Sequence, residues 1–144
     1  MKILALTILF VLLFCRVKNT PKMLSKKLYM KKIQELIEKN QKSLVNMGEY
    51  QEEGKVAALI MTWILELFFI IFYIVLGTKL GTTYMLILSA LQVFTCLYSG
   101  IKQANMSAFS DKVEDFKFYR WYFLFNVILD YMYYPVAIYM LLMK

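Results

Sequence analysis

Three side chains stand out for their chemistry. Glu66, Gln92 and Asp130 each fall near the middle of a long apolar block, where polar groups are rare and costly. Helical spacing groups them with neighbours: Ser89, Gln92, Thr95, Cys96 and Ser99 share one helix face, and Asn126, Asp130, Tyr133 and Tyr134 share another. Thr62, Glu66 and Tyr73 form a thinner stripe. A carboxylate turned to lipid costs about 3 kcal/mol on insertion scales, so such faces turn to other helices or to water. The chain is therefore expected to hold a polar intramembrane seam of Glu66, Ser89, Gln92, Asn126, Asp130 and Tyr133. Two chemistries fit that seam. The carboxyls are either packing elements, protonated or hydrogen-bonded between helices, or they bind a cation or pass a proton, no Lys or Arg being placed within the apolar blocks to neutralise them.

An enzyme is not expected. The chain has no histidine, which removes the usual general base at neutral pH and the commonest zinc ligand. No Gly-rich phosphate loop, nucleophile elbow or acidic metal motif accompanies the carboxyls, so no catalytic residue, cofactor or metal is assigned. Cys15 and Cys96 both lie in apolar stretches and read as small buried hydrophobes, not as a disulfide or half a metal site.

A second group carries charge. Lys22, Lys26, Lys27, Lys31 and Lys32 crowd one end of a long basic segment, where they would meet anionic lipid or an acidic partner surface. Nucleic acid is not an expected partner, since the segment has no readout motif and is tethered to apolar blocks.

The elements that must position these groups are legible in the composition. Of 144 residues, 60% are apolar or aromatic and only 19% charged, against roughly 45–50% and 25% for a soluble domain. The apolar residues come in blocks. The fold class expected is all-α: a polytopic helical membrane protein with three transmembrane helices, a short N-terminal one and a long basic amphipathic helix. Residues 1–17 form a short anchor, because the block 3–15 would span roughly 20 Å, less than the roughly 30 Å hydrocarbon core. It lacks the small residues of a signal-peptide cleavage site, so it is retained, with Lys2 and Arg16 snorkelling at its ends. Residues 18–55 form the basic helix, starting after Thr20-Pro21 and closing at Gly48, where a left-handed C-cap is wanted. Met23, Met30, Ile37 and Leu44 recur every seven residues along it.

Residues 56–144 form a three-helix transmembrane bundle. Blocks 56–76 and 83–100 are joined by a short link that makes an antiparallel hairpin, Gly77 and Gly81 marking a turn and not a dimerisation face. Segment 101–120 lies in the interface, with Ser110 as N-cap and Phe109, Val113 and Phe116 at helical spacing. Block 121–143 spans next, with Tyr119, Trp121 and Tyr122 as an aromatic girdle and a kink at Pro135. The order of anchor (1–17), long basic helix (18–55) and hairpin (56–100) is similar to the topology of small membrane-protein insertases, which place a paired helical hairpin where this chain has one helix. That likeness covers element order alone.

Segments 16–55 and 101–120 hold fourteen of the seventeen basic residues, leaving Lys2, Lys79 and Lys144 for the opposite side. The positive-inside rule then puts both termini on the non-cytoplasmic side of a bacterial plasma membrane or organellar inner membrane. The expected function is that of a non-catalytic small subunit acting by helix–helix assembly, with membrane lipids and other transmembrane subunits or copies of itself as partners. The rival is a homo-oligomeric pore or ion channel, of the lytic or effector kind, lined by Glu66, Gln92 and Asp130.

Overall fold

A computed structural model describes residues 2–107 and 117–143. They form five α-helices and one short 3₁₀ turn, with no strand among the described residues: α1 (Lys2–Leu24), α2 (Lys26–Met47), the 3₁₀ turn Gly48–Tyr50, α3 (Gln51–Leu80), α4 (Thr83–Ser107) and α5 (Arg120–Met143). Four of them, α1, α3, α4 and α5, are long and apolar enough to cross a membrane.

The first helix departs from expectation. It does not stop at residue 17 but runs through Arg16, Thr20 and Pro21 to Leu24. Thr20 does not cap a new helix: its hydroxyl donates back to the Arg16 carbonyl at 2.8 Å, as Asn19 Nδ2 does to the Cys15 carbonyl at 2.9 Å. Pro21 costs little here, because it falls in the last turn and its missing N–H leaves a single carbonyl unserved. The break comes at Ser25, in extended conformation at φ −99° and ψ 116°. At about 1.5 Å per residue, α1 is about 34 Å long, enough for a full crossing. Met23 therefore lies on α1 and the rest of the seven-residue series on α2, so that series is not the seam of one helix.

Gly48 ends α2 with a positive φ of 57°, as expected for a glycine stop, but its ψ of −117° lies outside the left-handed helical region. The hairpin turn is tighter than the sequence implied. Helix α3 continues to Leu80, Gly81 takes a left-handed φ of 68° and ψ of 7°, its N–H bonds the Gly77 carbonyl at 3.0 Å, and α4 begins at Thr83. Gly77 is not part of the turn. It sits in α3 against α4, where a Cβ would meet Ser89 Oγ at 2.5 Å. Helix α4 absorbs residues 101–107 of the expected interfacial segment. The proposed cap and apolar spacing at Phe109, Ser110, Val113 and Phe116 lie outside the described residues.

Neighbouring helices run antiparallel. Close pairs Gly77/Ser89 and Gly100/Glu66 show this for α3 against α4, and Gln92/Asp130 and Tyr98/Tyr122 for α4 against α5, while Arg16/Asp130 and Thr20/Tyr131 link α1 to α5. Helix α5 is the most enclosed of the four spans and runs unbroken through Pro135. The apolar core gathers at the end of the bundle nearest the α3–α4 turn, where Leu9, Leu80, Met85 and Tyr133 are buried to 2% exposure or less. The aromatic girdle is split: Tyr119 and Trp121 are exposed, but Tyr122 faces inward and its ring packs on Tyr98 at 5.1 Å.

Candidate polar site within the bundle

The inward faces of α1, α3, α4 and α5 line a partly open cavity of about 330 Å³ with polar and apolar walls. Its floor is an ion pair. Asp130, 2% exposed, meets the Arg16 guanidinium through Oδ2 and accepts a hydrogen bond from Gln92 Nε2 through Oδ1 at 2.6 Å. Arg16 Nη1 also donates to the Met23 sulfur at 2.8 Å, which ties the guanidinium to the last turn of its own helix. Arg16 thus does not snorkel outward from a short anchor, and Asp130 is not left without a cation. The extension of α1 past residue 17 is what brings the Met23 sulfur within reach of the Arg16 guanidinium. A charge-assisted pair of this kind is about twice as strong as a neutral hydrogen bond, and its carboxylate has exchanged water for two protein partners.

Glu66 enters the same cavity from α3. Gly100 of α4 makes room for it, since a Cβ there would lie 3.1 Å from Glu66 Cγ, and the Cys96 thiol adjoins its carboxyl. Among the described residues Glu66 makes no ion pair. Thr95, Ser99, Tyr122 and Asn126 complete the polar wall, and Asn126 Oδ1 is buried with no hydrogen-bond partner among the described residues.

Towards the α3–α4 turn the cavity is sealed. Tyr73 and Tyr134 share a hydrogen bond at 2.8 Å between their hydroxyls, Ser89 and Tyr133 another at 3.1 Å, and the Tyr73 and Tyr133 rings meet edge to face at 5.3 Å. Beyond these pairs lies the apolar core. Towards α2 the cavity adjoins a second one of about 380 Å³, the two sharing Leu12, Arg16, Met23, Phe123 and Tyr134 in their walls.

The six seam residues are therefore divided. Glu66, Gln92, Asn126 and Asp130 line one cavity, whereas Ser89 and Tyr133 pair with each other in the seal. Thr62 does not join the stripe of Glu66 and Tyr73: it is spent on the Ala58 carbonyl at 2.9 Å. Of the five lysines, Lys22 and Lys32 line the second cavity, and Lys26, Lys27 and Lys31 are exposed outside it. Both cysteines are free thiols. Cys96 lines the polar cavity, but Cys15 is exposed and not buried, at the wall of the second cavity.

Sequence reasoning missed Arg16. A signal for it existed: Leu9, Leu12, Arg16 and Met23 follow at steps of three, four and seven residues, and in the structure all four lie on the inward face of α1. The chain matches no known protein family, no characterised protein and no solved structure.

Proposed function

We propose that the chain is a non-catalytic integral membrane subunit that works by helix–helix assembly with other membrane proteins or with copies of itself. One observation carries this reading, the division of its surface. Glu66, Gln92, Asn126 and Asp130 turn inward to the cavity, while α1 and α3 present large apolar residues outward along their lengths, with Phe14, Ile64 and Ile71 each more than half exposed. These two helices are the least enclosed of the four and are the flanks on which further helices pack. In lipid such packing is driven by close van der Waals fit, for which long apolar faces free of charge are suited. A pore formed between protomers would need Glu66, Gln92 and Asp130 on the outer surface. Gln92 and Asp130 are instead 3% and 2% exposed within one protomer, which favours assembly over a shared pore.

The test is cross-linking in native membranes. With Cys15 and Cys96 replaced by alanine, Ile64→Cys and Ile71→Cys should each give an adduct of fixed mass with a short thiol cross-linker. A mass of twice the chain identifies self-assembly, and any other fixed mass identifies a distinct subunit. Monomer alone at both positions overturns the reading.

A further inference from the structure

At the junction of α1 and α2 the second cavity, about 380 Å³, is lined by Arg16, Lys22 and Lys32 together with the apolar walls of Leu12, Met23 and Phe123. None of its lining residues is acidic. Arg16 is shared with Asp130, but neither Lys22 nor Lys32 forms an ion pair among the described residues, so the described lining carries net positive charge. Tyr29 adds a hydroxyl donor from α2, held in place by its ring against Phe118 at 5.4 Å and Phe123 at 4.9 Å. Burial of that ring raises the Tyr29 pKa, so the hydroxyl keeps its proton and remains a donor at neutral pH.

We propose that this cavity binds the phosphate headgroup of an anionic phospholipid, with an acyl chain lying along Leu12 and Phe123 between α1 and α5. The donor set suits a phosphate, which offers several acceptor oxygens and a full negative charge to converging ammonium and guanidinium groups. The apolar walls decide between a lipid and a free anion. Leu12, Met23 and Phe123 line the same cavity as the charged groups, and Lys22 stands in the last turn of α1, two residues before Leu24. In a bilayer this is the depth at which headgroup phosphates lie. The inference rests on the membrane reading of the four spans.

The experiment uses the full chain purified in neutral detergent and titrated with dioctanoyl phosphatidylglycerol, dioctanoyl phosphatidylcholine or inorganic phosphate, with bound ligand counted by native mass spectrometry. One phosphatidylglycerol should be retained, and phosphatidylcholine should bind at least about fivefold more weakly, given what one lysine near a membrane surface contributes. Lys22→Gln with Lys32→Gln should lose about thirtyfold in affinity, and Lys26→Gln with Lys27→Gln less than about twofold, since only the first pair lines the cavity. Equal retention of phosphatidylcholine, or equal losses in the two double variants, overturns a defined site in favour of diffuse charge attraction. Full displacement of the lipid by millimolar inorganic phosphate overturns the lipid assignment in favour of a free anion. Incorporation of the wild type into phosphatidylcholine nanodiscs reports the membrane reading separately: failure there removes the premise, and success with no lipid retained removes the site.

Discussion

Arg16 changes what Asp130 can be. Alone in an apolar block, Asp130 invites a role in proton or cation exchange, but a carboxylate with a guanidinium on one oxygen and Gln92 on the other is first a fastener between α1, α4 and α5. A buried pair of this kind is costly to break on one side, because the survivor stays charged and unpaired, and about 3–5 kcal/mol is typical. Arg16→Met or Asp130→Leu alone should therefore lower the thermal unfolding temperature in detergent sharply, and the double variant should regain most of the loss. Simple additivity of the two losses would show that the pair does not act as a unit. Glu66 is a different case, having no cation beside it among the described residues, and any exchange chemistry in the cavity falls to it. The sequence made the acidic half of the ion pair readable and hid the basic half. Arg16 follows thirteen apolar-block residues and precedes Thr20-Pro21, a pattern that reads as a helix end unless the inward spacing of Leu9, Leu12, Arg16 and Met23 is given more weight than the local cap signal.

At the scale of elements, glycine placement determines how closely α3 and α4 pack. Gly77 brings the α3 backbone against Ser89, and Gly100 does the same for α4 opposite Glu66, so the hairpin is held close at two levels about two dozen residues apart along the chain. A Cβ at Gly77 would stand 2.7 Å from the Ser89 Cβ as well as 2.5 Å from its Oγ, a clash that no rotamer of Ser89 relieves. Gly77→Ala should therefore destabilise the protein by about 1–3 kcal/mol, the usual range for overpacking, as measured by denaturant unfolding in mixed micelles. Adding Ser89→Gly should restore much of that loss, less the Tyr133 hydrogen bond that Ser89 makes at 3.1 Å. Without that rescue, the cost would have to come from somewhere other than the α3–α4 contact. The hairpin itself was legible, since two apolar blocks flanking a Gly-Thr link have few other ways to lie. The role of Gly77 was not, because spacing from Gly81 marks a turn and a close helix contact equally well, and only the position of Ser89 across the pair distinguishes them.

The whole molecule is polarised along its length. One end carries the α1–α2 connection with its lysines and the start of α5 at Arg120, and the other carries the α3–α4 turn with Lys79. This asymmetry was the most readable feature of the sequence, because charge counting needs no side-chain geometry. It predicts that a membrane-impermeant thiol reagent labels Lys79→Cys in intact cells and Lys31→Cys only after permeabilisation. Labelling of Lys31→Cys in intact cells would reverse the orientation drawn from the basic asymmetry. Not legible was the division of the interior into a polar half and a sealed half, since it depends on Tyr73 meeting Tyr134 and on Ser89 meeting Tyr133 across three helices. That division has an electrical meaning. A transmembrane voltage falls where the barrier is dry, and each elementary charge moved across the full drop is worth about 2.3 kcal/mol per 100 mV. In a polarised bilayer the tyrosine seal and the apolar core beyond it would take most of the drop, and water entering the cavity would bring Glu66 close to the potential of the basic face. The thin, dry half of this bundle is thus its capacitor, and a proton reaching Glu66 from the α2 side would do so almost without electrical work.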